Sequence, residues 1–379
     1  MNRNRMNKKR MGRARVLSRA AAGMLAAALC FQPMTALAGP AGDSSLTSSS
    51  SNAGPGGGSG SSNSGSTGSS GGSTSVSNGG VSAVTSGLGV YRVTENEGIG
   101  AIARGVDVSY WQQNVNWSQV ASDNVQFAML ATRFRGNVDP FFAMNAANAS
   151  QAGLRLGAYI YSYATSVEMA QQEADFVLNL IKDYPISFPV VFDAEDANTL
   201  GTLTQSQVSD VINAFCKRIQ DAGYYPMVYA NEYWIANKID MSKISYDIWV
   251  AKYQQKYTYS KTSMWQASNT GSVKGVNGNV DIDYLYKDYT QIIPGNTWRT
   301  IAGNRYYYQN HVMQKAAWIN DGQNWYYMNA AGNPSKGWLE LSGKKYYLEA
   351  DGHMITGWKT LDGGWRYFDA SGEQATGWR

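Results

Sequence analysis

Two carboxylates at the end of a buried apolar run give the strongest indication of chemistry in this chain. Residues 188–196 read FPVVFDAED, so Asp193 and Glu195 stand two positions apart at the end of a predicted strand. Side chains at this spacing lie on the same face of a strand, with a separation of roughly 6.6 Å along it. Two carboxyl groups so placed can act on one substrate bond. The next residue, Asp196, points to the opposite face and is predicted to be structural.

The residue types that are missing narrow the chemistry further. The only two histidines, His311 and His353, lie in a C-terminal repeat region, and Cys216 is the single cysteine of the central region. Ser-His pairs, Cys-His pairs and histidine-bound zinc are therefore excluded there. We expect no metal and no cofactor, and activity that survives EDTA. If the central region is an enzyme, its carboxylates are predicted to do the chemistry.

Alternating strand and helix patterns surround the acid pair. Eight segments are predicted as strands, at 105–110, 126–132, 155–163, 188–193, 225–230, 246–253, 263–267 and 280–286. Helical patterns occur at 117–122, 140–152, 167–182 and 204–222, with a broken helix near 232–239. Thr204 is predicted to be the N-cap of its helix. This order predicts an α/β fold, a (β/α) barrel whose last third is mainly β.

In such barrels, catalytic residues lie at the C-terminal ends of the strands. Four acids fit this rule: Asp107 on the first strand, Asp193 and Glu195 after the fourth, and Asp281 on the eighth. The first and last strands are neighbours in a closed barrel, so Asp107 and Asp281 are expected to lie close together. Converging acids raise the pKa of at least one of them, which keeps a proton donor available at neutral pH. The role of Asp283, on the same face as Asp281, stays open.

Aromatic residues on or beside these strands are candidates for stacking on sugar rings, although each can instead pack in the core. They are Tyr110, Tyr159, Tyr161, Tyr229 and Trp265.

The N-terminal region is predicted to be removed or unstructured. Residues 1–19 hold eight Lys or Arg and no acid, an apolar stretch follows, and Ala36-Leu37-Ala38 offers a cleavage site, so 1–38 is interpreted as a secretory signal peptide. Residues 39–88 are predicted to be a disordered linker, because 51–80 contain 22 Gly or Ser. Without the leader the net charge falls from +4 to −4, which argues against nucleic-acid binding. No later segment is apolar enough to span a membrane.

The C-terminal region, 297–379, is a repeat. Trp298, Trp318, Trp338, Trp358 and Trp378 recur every 20 residues, with Tyr-rich segments and glycines between them. Each unit is predicted to be a β-hairpin that buries its aromatic residues by stacking on its neighbours, in a solenoid. The candidate ligand-binding residues of these repeats are Trp318, Trp338, Trp358, Tyr327 and Tyr347.

Residues 105–288 resemble glycoside hydrolase family 25, the Chalaropsis-type lysozymes. The resemblance rests on GVDVS at 105–109, WQ at 111–112, DPFF at 139–142, GLRLGAY at 153–159, the acid pair, and GNVD at 278–281. It implies a modified barrel of five β/α units plus three strands, within a domain spanning 89–290. It also implies cleavage of the β-1,4 bond between N-acetylmuramic acid and N-acetylglucosamine in peptidoglycan.

The resemblance also implies roles for the acids. Glu195 would be the general acid. Asp193 would either stabilise the substrate's N-acetyl group as an internal nucleophile or attack directly, and Asp107 and Asp281 would line the site. The sequence departs from the family pattern at 131–134, which reads ATRF rather than the frequent ATEG, and at Asp283, where Asn is frequent.

The repeats resemble choline-binding-type cell-wall repeats, which implies a choline-bearing teichoic acid or a glycan as their ligand. The whole chain is therefore predicted to be a secreted, cell-wall-associated, monomeric muramidase. Two alternatives stay open: a wall-binding protein with an inactive barrel, and another barrel glycosidase such as a chitinase.

Overall fold

The computed structural model describes residues 74–78, 81–94 and 98–377. The predicted signal peptide and most of the predicted linker lie outside these residues. The first described elements form a three-stranded antiparallel sheet of β1 (Thr74–Asn78), β2 (Val81–Ser86) and β3 (Gly89–Val93). Tyr91 in β3 is fully buried against the main core. The prediction of a disordered linker up to residue 88 is therefore wrong for its last part, where Val and Thr among the serines suit a strand.

Eight of the next ten strands close into a barrel. In chain order the elements are β4 (Ala103–Val108), α1 (Trp117–Ser122), β5 (Phe127–Ala131), β6 (Arg133–Phe134), β7 (Asn137–Val138), α2 (Phe142–Gln151), β8 (Arg155–Tyr161), α3 (Val167–Ile181), β9 (Ile186–Asp193), α4 (Gln205–Asp221), β10 (Pro226–Asn231), α5 (Glu232–Asn237), β11 (Asp247–Ala251), β12 (Thr262–Gly271) and β13 (Val280–Leu285). The barrel order is β4-β5-β8-β9-β10-β11-β12-β13, and β6 and β7 form a separate small hairpin. The five helices each follow a barrel strand, and three further strands complete the barrel, which confirms the predicted fold class.

The direction of the last strand departs from a regular (β/α) barrel. The other seven barrel strands all run parallel to one another, whereas β13 is antiparallel to both β12 and β4. The connection from β12 to β13 needs no crossover helix, because an antiparallel pair can be joined directly. The beginning of β13 therefore lies at the rim where the parallel strands end.

Local sequence signals explain the long helices. Thr204 caps α4: its hydroxyl accepts a hydrogen bond from the backbone N–H of Gln207, whose side chain reciprocates at the Thr204 backbone. Ser166 caps α3 in the simpler way, through the N–H of Met169. Both helices turn an apolar stripe toward the sheet. No helix in the described part of the chain is long and apolar enough to cross a membrane.

A hydrophobic core fills the end of the barrel opposite that rim. The rings of Phe127 and Phe188 stack there with centroids 5.2 Å apart, and Tyr289 packs against Phe188. Gly105 makes room for this packing, because a Cβ atom at that position would lie 2.3 Å from the Phe127 ring. With this end closed, a ligand can approach the barrel only at the rim.

The C-terminal region forms hairpins, as predicted. A three-stranded sheet of β14 (Thr297–Ile301), β15 (Asn304–Gln309) and β16 (Val312–Met313) comes first, followed by the pairs β17 (Ala317–Asn320) with β18 (Trp325–Met328), β19 (Gly337–Leu341) with β20 (Lys344–Leu348), and β21 (Gly357–Leu361) with β22 (Gly364–Phe368). Trp318, Trp338 and Trp358 each face a tyrosine across their hairpin. Trp378 lies outside the described residues.

The first of these sheets, β14–β16, belongs to the core of the barrel. Arg299 is almost fully buried, and its guanidinium lies between the rings of Tyr224 and Tyr308. The Tyr308 hydroxyl donates a 2.8 Å hydrogen bond to the carbonyl of Lys182, at the end of α3. Ile301 and Met313 join the same hydrophobic cluster as the helices. The hydrophobic core of the barrel therefore includes residues up to Met313, beyond residue 290, where the sequence predicted the catalytic domain to end.

Candidate active site

A cleft of about 420 Å³ opens at the rim of the barrel, and four carboxylates line it. Asp193 is the last residue of β9, Glu195 follows two positions later, and Asp107 is near the end of β4. Asp281 is at the start of β13, directly opposite Asp107 in the strand register. The structure thus brings together all four acids singled out in the sequence. Asp281 lies in the cleft because β13 runs antiparallel to its neighbours. It was predicted from the rule that catalytic residues stand at the C-terminal ends of strands, which does not apply to it.

Burial and mutual repulsion shape the acid pair on β9. Asp193 is 5% exposed, and its Oδ1 atom has no hydrogen-bond partner among the described residues. Burial, followed by repulsion from Glu195 and Asp196, raises the pKa of Asp193 well above its usual value. Glu195 is half-buried, and burial together with repulsion from Asp281 and Asp196 also raises its pKa. The site therefore favours a protonated carboxyl group in the cleft.

A hydrogen-bonded glutamine holds the opposite wall. The Nε2 atom of Gln266 donates to Oδ2 of Asp107 at 2.7 Å, and its Oε1 atom accepts from the hydroxyls of Tyr229, at 2.8 Å, and Tyr253, at 2.7 Å. Because both tyrosines donate to Oε1, the amide can present only its N–H group to Asp107. Burial raises the pKa of Asp281 to about 6, and burial followed by repulsion from Asp281 raises that of Asp107.

Asp283 lies beneath this wall rather than in the cleft. It is fully buried, and its Oδ1 atom accepts a 3.0 Å hydrogen bond from the indole N–H of Trp249. Burial, followed by repulsion from Asp281, raises its pKa well above the usual value. Within the residues that the structure describes, no group of three or more His, Cys, Asp or Glu side chains is arranged to hold a metal ion.

Asp196 does not line the cleft, and it is held by hydrogen bonds in the loop that follows β9. Its Oδ1 atom accepts hydrogen bonds from the backbone N–H groups of Asn198 and Thr199, and its Oδ2 atom accepts one of 3.0 Å from the hydroxyl of Tyr161. These donors lower its pKa although partial burial opposes them. Asp196 therefore orders the loop that follows β9 and also fixes the orientation of Tyr161.

The predicted aromatic residues divide into three groups. Tyr159, Tyr161 and Tyr229 line the cleft. Tyr110 does not line it, but it stacks at 4.1 Å on Phe134, which does. Trp265 is 1% exposed, and its N–H donates to the carbonyl of Lys252, so the prediction that it contacts substrate is wrong. Its side chain points to the outer face of the barrel sheet, where it packs among the residues around the barrel.

Other cleft residues were missed in the sequence. They are Ser109, Trp111, Ala131, Arg133, Phe134, Arg135, Tyr163, Trp249, Tyr253 and Gln266. Trp111 is 67% exposed at the rim. The departure at 131–134 was a usable signal, because it places Arg133 in the cleft, where its guanidinium pairs with Glu173 and lies over the Tyr163 ring. Ser109 and Trp111 also had a signal, because they belong to the GVDVS and WQ motifs on which the family resemblance rests.

The candidate wall-binding residues form a ladder along the hairpins. The ring centroids of Trp318 and Tyr327 are 5.3 Å apart, and those of Trp338 and Tyr347 are also 5.3 Å apart. Trp358 is 67% exposed. The tyrosine of each pair supports its tryptophan across the hairpin.

Comparisons with known proteins agree with this geometry. The model of a family described as "Glycosyl hydrolases family 25" matches residues 106–276, and that of a "Putative cell wall binding repeat" matches 317–333, 336–354 and 356–373. The uncharacterized protein YegX of Escherichia coli K12 is 31% identical over 189 residues, which cover 47% of this chain and 68% of that protein. The chain belongs to glycosyl hydrolase family 25. It is a glycoside hydrolase, and cell-wall-binding repeats follow its barrel.

Two lysozymes are also similar to this family 25 chain. Lysozyme M1 of Streptomyces globisporus is 30% identical over 195 residues, covering 47% of this chain and 66% of that protein. The crystal structure of a bacterial lysozyme from Streptomyces coelicolor shares 25% identity, covers 50% of this chain and 95% of that one, and has a TM-score of 0.42. The match to the repeat family starts at residue 317, after the β14–β16 sheet that packs on the barrel.

Proposed function

We propose that this family 25 hydrolase is a secreted muramidase, which cleaves the β-1,4 bond between N-acetylmuramic acid and N-acetylglucosamine in peptidoglycan. The observation that carries the proposal is the pair Asp193 and Glu195 after β9, in a cleft where both have a raised pKa. Family membership and the similarity to Lysozyme M1 support the choice of substrate.

Glu195 is the general acid of the proposed mechanism. It is the more exposed member of the pair, so it can reach the glycosidic oxygen of a bound glycan. Its raised pKa favours the protonated carboxyl group, and proton transfer to the leaving oxygen accompanies C–O cleavage. The resulting carboxylate can then deprotonate a water molecule that attacks the anomeric carbon.

Asp193 assists through the substrate's own acetamido group. Its buried Oδ1 atom has no partner among the described residues, and an unpaired buried acceptor is costly. The acetamido N–H of a bound muramic acid would satisfy this atom and would turn the acetamido oxygen toward the anomeric carbon. Asp107 and Asp281, the former held by Gln266, complete the wall on which the sugar rests.

The N-terminal and C-terminal regions bring the enzyme to the cell wall and hold it there. Residues 1–38 direct secretion as a cleavable signal peptide, and the repeats from 317 onward hold the monomeric enzyme on a wall polymer. Their exposed tryptophans support this role, because indole faces bind sugars and organic cations.

The proposal is tested by combining product analysis with substitutions. Glu195→Gln keeps size and polarity but cannot act as a carboxylic acid, so turnover on peptidoglycan should fall roughly 10²–10⁴-fold with unchanged circular dichroism. Asp193→Asn should also be severely impaired, whereas the matched control Asp196→Asn should lose much less. Mass spectrometry of wild-type digests should find N-acetylmuramic acid at the new reducing ends. N-acetylglucosamine at those ends, or full activity of Glu195→Gln, would refute the proposal.

A further inference from the structure

Two consecutive junctions between the C-terminal hairpins have the same backbone geometry. Counted from the β14–β16 sheet, the second junction joins the β17–β18 hairpin to the β19–β20 hairpin. The third junction joins the β19–β20 hairpin to the β21–β22 hairpin. The backbone N–H of Met354 donates to the carbonyl of Trp325 at 2.7 Å, and 20 residues later Gln374 donates to Lys345 at 2.7 Å. Each position of the third junction therefore has a structural equivalent 20 residues earlier.

The side chains at these equivalent positions are different. In the second junction the six positions hold Trp318, Asn320, Trp325, Ser342, Tyr346 and Met354. In the third they hold Trp338, Glu340, Lys345, Asp362, Arg366 and Gln374. The first position alone keeps its residue type. The third junction thus has four charged groups where the second has none, and three aromatic or apolar side chains become Lys, Arg and Gln.

The side-chain contacts at the two junctions differ accordingly. The ring centroids of Trp318 and Tyr346 are 5.0 Å apart. At the third junction the equivalent neighbour of Trp338 is Arg366, whose guanidinium carbon lies 5.6 Å from the indole centre. The Trp338 N–H donates to Oδ2 of Asp362 at 3.1 Å, which fixes the ring. All six residues of the third junction line a cavity of about 370 Å³, and Trp338 remains 40% exposed there.

This cavity is unsuited to a quaternary ammonium ion. Such a ligand has no hydrogen-bonding groups and is held by aromatic faces with few competing charges. Here Trp338 is the one aromatic residue in the lining, and Arg366 already occupies the side of Trp338 where a ring packs in the second junction.

The same groups are well suited to a sugar. Two acids, two bases and one amide provide both acceptors and donors with no net charge, which matches the hydroxyls of a neutral ring. Arg366 lines the cavity and carries several N–H donors on its guanidinium group. We propose that the third junction binds a neutral pyranose unit of a wall glycan, with Trp338 against the sugar face and the charged side chains on its hydroxyls. The repeats would then differ in ligand along their length.

Calorimetric titration of the full chain with an N-acetylglucosamine tetrasaccharide, and separately with choline chloride, tests this proposal. Trp338→Ala and Arg366→Ala should each weaken one class of saccharide site about tenfold or more, without changing choline binding. Trp318→Ala, the matched change in the second junction, should leave that saccharide site intact. Binding in the barrel cleft contributes equally to all of these variants, so the differences between them are independent of the catalytic proposal.

A second variant rebuilds the third junction with the side chains of the second. The combination Lys345→Trp, Arg366→Tyr and Gln374→Met should abolish the saccharide site and create a choline site that Trp338→Ala does not have. Saccharide binding that is the same in wild type, Trp338→Ala and the rebuilt variant would overturn the proposal. A wild-type choline site that disappears in Trp338→Ala would also overturn it.

Discussion

The guanidinium carbon of Arg299 lies 3.9 Å from the centre of the Tyr224 ring and so joins the first C-terminal sheet to the barrel. Arg299 belongs to β14, whereas Tyr224 lies between α4 and β10. The Tyr308 ring covers the other side of the guanidinium at 4.3 Å. A buried arginine between two rings is a structural contact, because a desolvated cation–π pair contributes about 2 kcal/mol.

This contact predicts where the chain can be shortened. A protein that ends at Asn296 would lose Arg299, Ile301 and Tyr308 and expose Tyr224, so its melting temperature should fall by about 10 °C or more. A protein that ends at Ala316 keeps the β14–β16 sheet and should melt within a few degrees of the full chain. Thermal unfolding of both shortened proteins, followed by circular dichroism, tests the prediction. Equal melting temperatures for the two would mean that β14–β16 do not stabilise the barrel.

The same pair of chain lengths separates catalysis from wall binding. The protein that ends at Ala316 retains the whole cleft, so turnover on soluble wall fragments should be close to that of the full chain. Clearing of intact walls should fall about tenfold or more, because the effective concentration provided by a second binding site is lost. Both rates are measured on the same preparations. An equal loss on the two substrates would indicate that the later hairpins support the active site instead.

Asp281→Asn should stabilise the fold while it impairs catalysis. Burial raises the pKa of Asp281 from its usual 3.8 to about 6 in the folded protein, so the folded state holds this proton more tightly than the unfolded state. The wild-type protein therefore loses stability as pH rises from about 4 to 6, and the asparagine variant does not. Its advantage should reach up to about 3 kcal/mol above pH 6 and vanish near pH 4. Urea unfolding at pH 4.5 and 7.5 measures this, and a variant less stable at pH 7.5 would contradict it.

Trp111 and Trp265 should respond in opposite ways to substitution. Trp111 is exposed on the cleft rim, so Trp111→Ala should raise KM several-fold and leave the melting temperature nearly unchanged. Trp265 is buried and donates to the Lys252 carbonyl, so Trp265→Phe should lower stability by about 1–3 kcal/mol and leave KM near wild type. Steady-state kinetics and urea unfolding of both variants provide the comparison. An increase in KM for Trp265→Phe alone would reverse the assignment.

Several elements were predictable because their signals are local. The cap at Thr204 and the apolar stripe of α4 depend on residues within a few turns of each other, and the helix begins where predicted. The acid pair was also predictable, since two positions along one strand are related by the pleat alone. The barrel strands were located for the same reason, with ends that differ from the prediction by a few residues.

The repeat shows how far a local signal extends. Its 20-residue period identified hairpins, and the structure has them. The period did not reveal that the β14–β16 sheet packs on α3 and α4, because that contact joins Arg299 to Tyr224, 75 positions earlier in the chain. The period also did not reveal that residues 20 positions apart occupy equivalent places in two successive junctions between hairpins.

The sequence by itself determined the strand and helix order, the acid pair, the hairpin repeat and the resemblance to family 25. The tertiary structure decided which side chains share the cleft. In the folded protein β13 runs antiparallel, which brings Asp281 to the rim. The Trp265 side chain lies outside the cleft, and Gln266 lies between Asp107 and two tyrosines. These outcomes depend on strand direction and on which face of the sheet points inward. Both are set by packing between residues far apart in the chain, and a one-residue difference in register reverses every side chain on a strand.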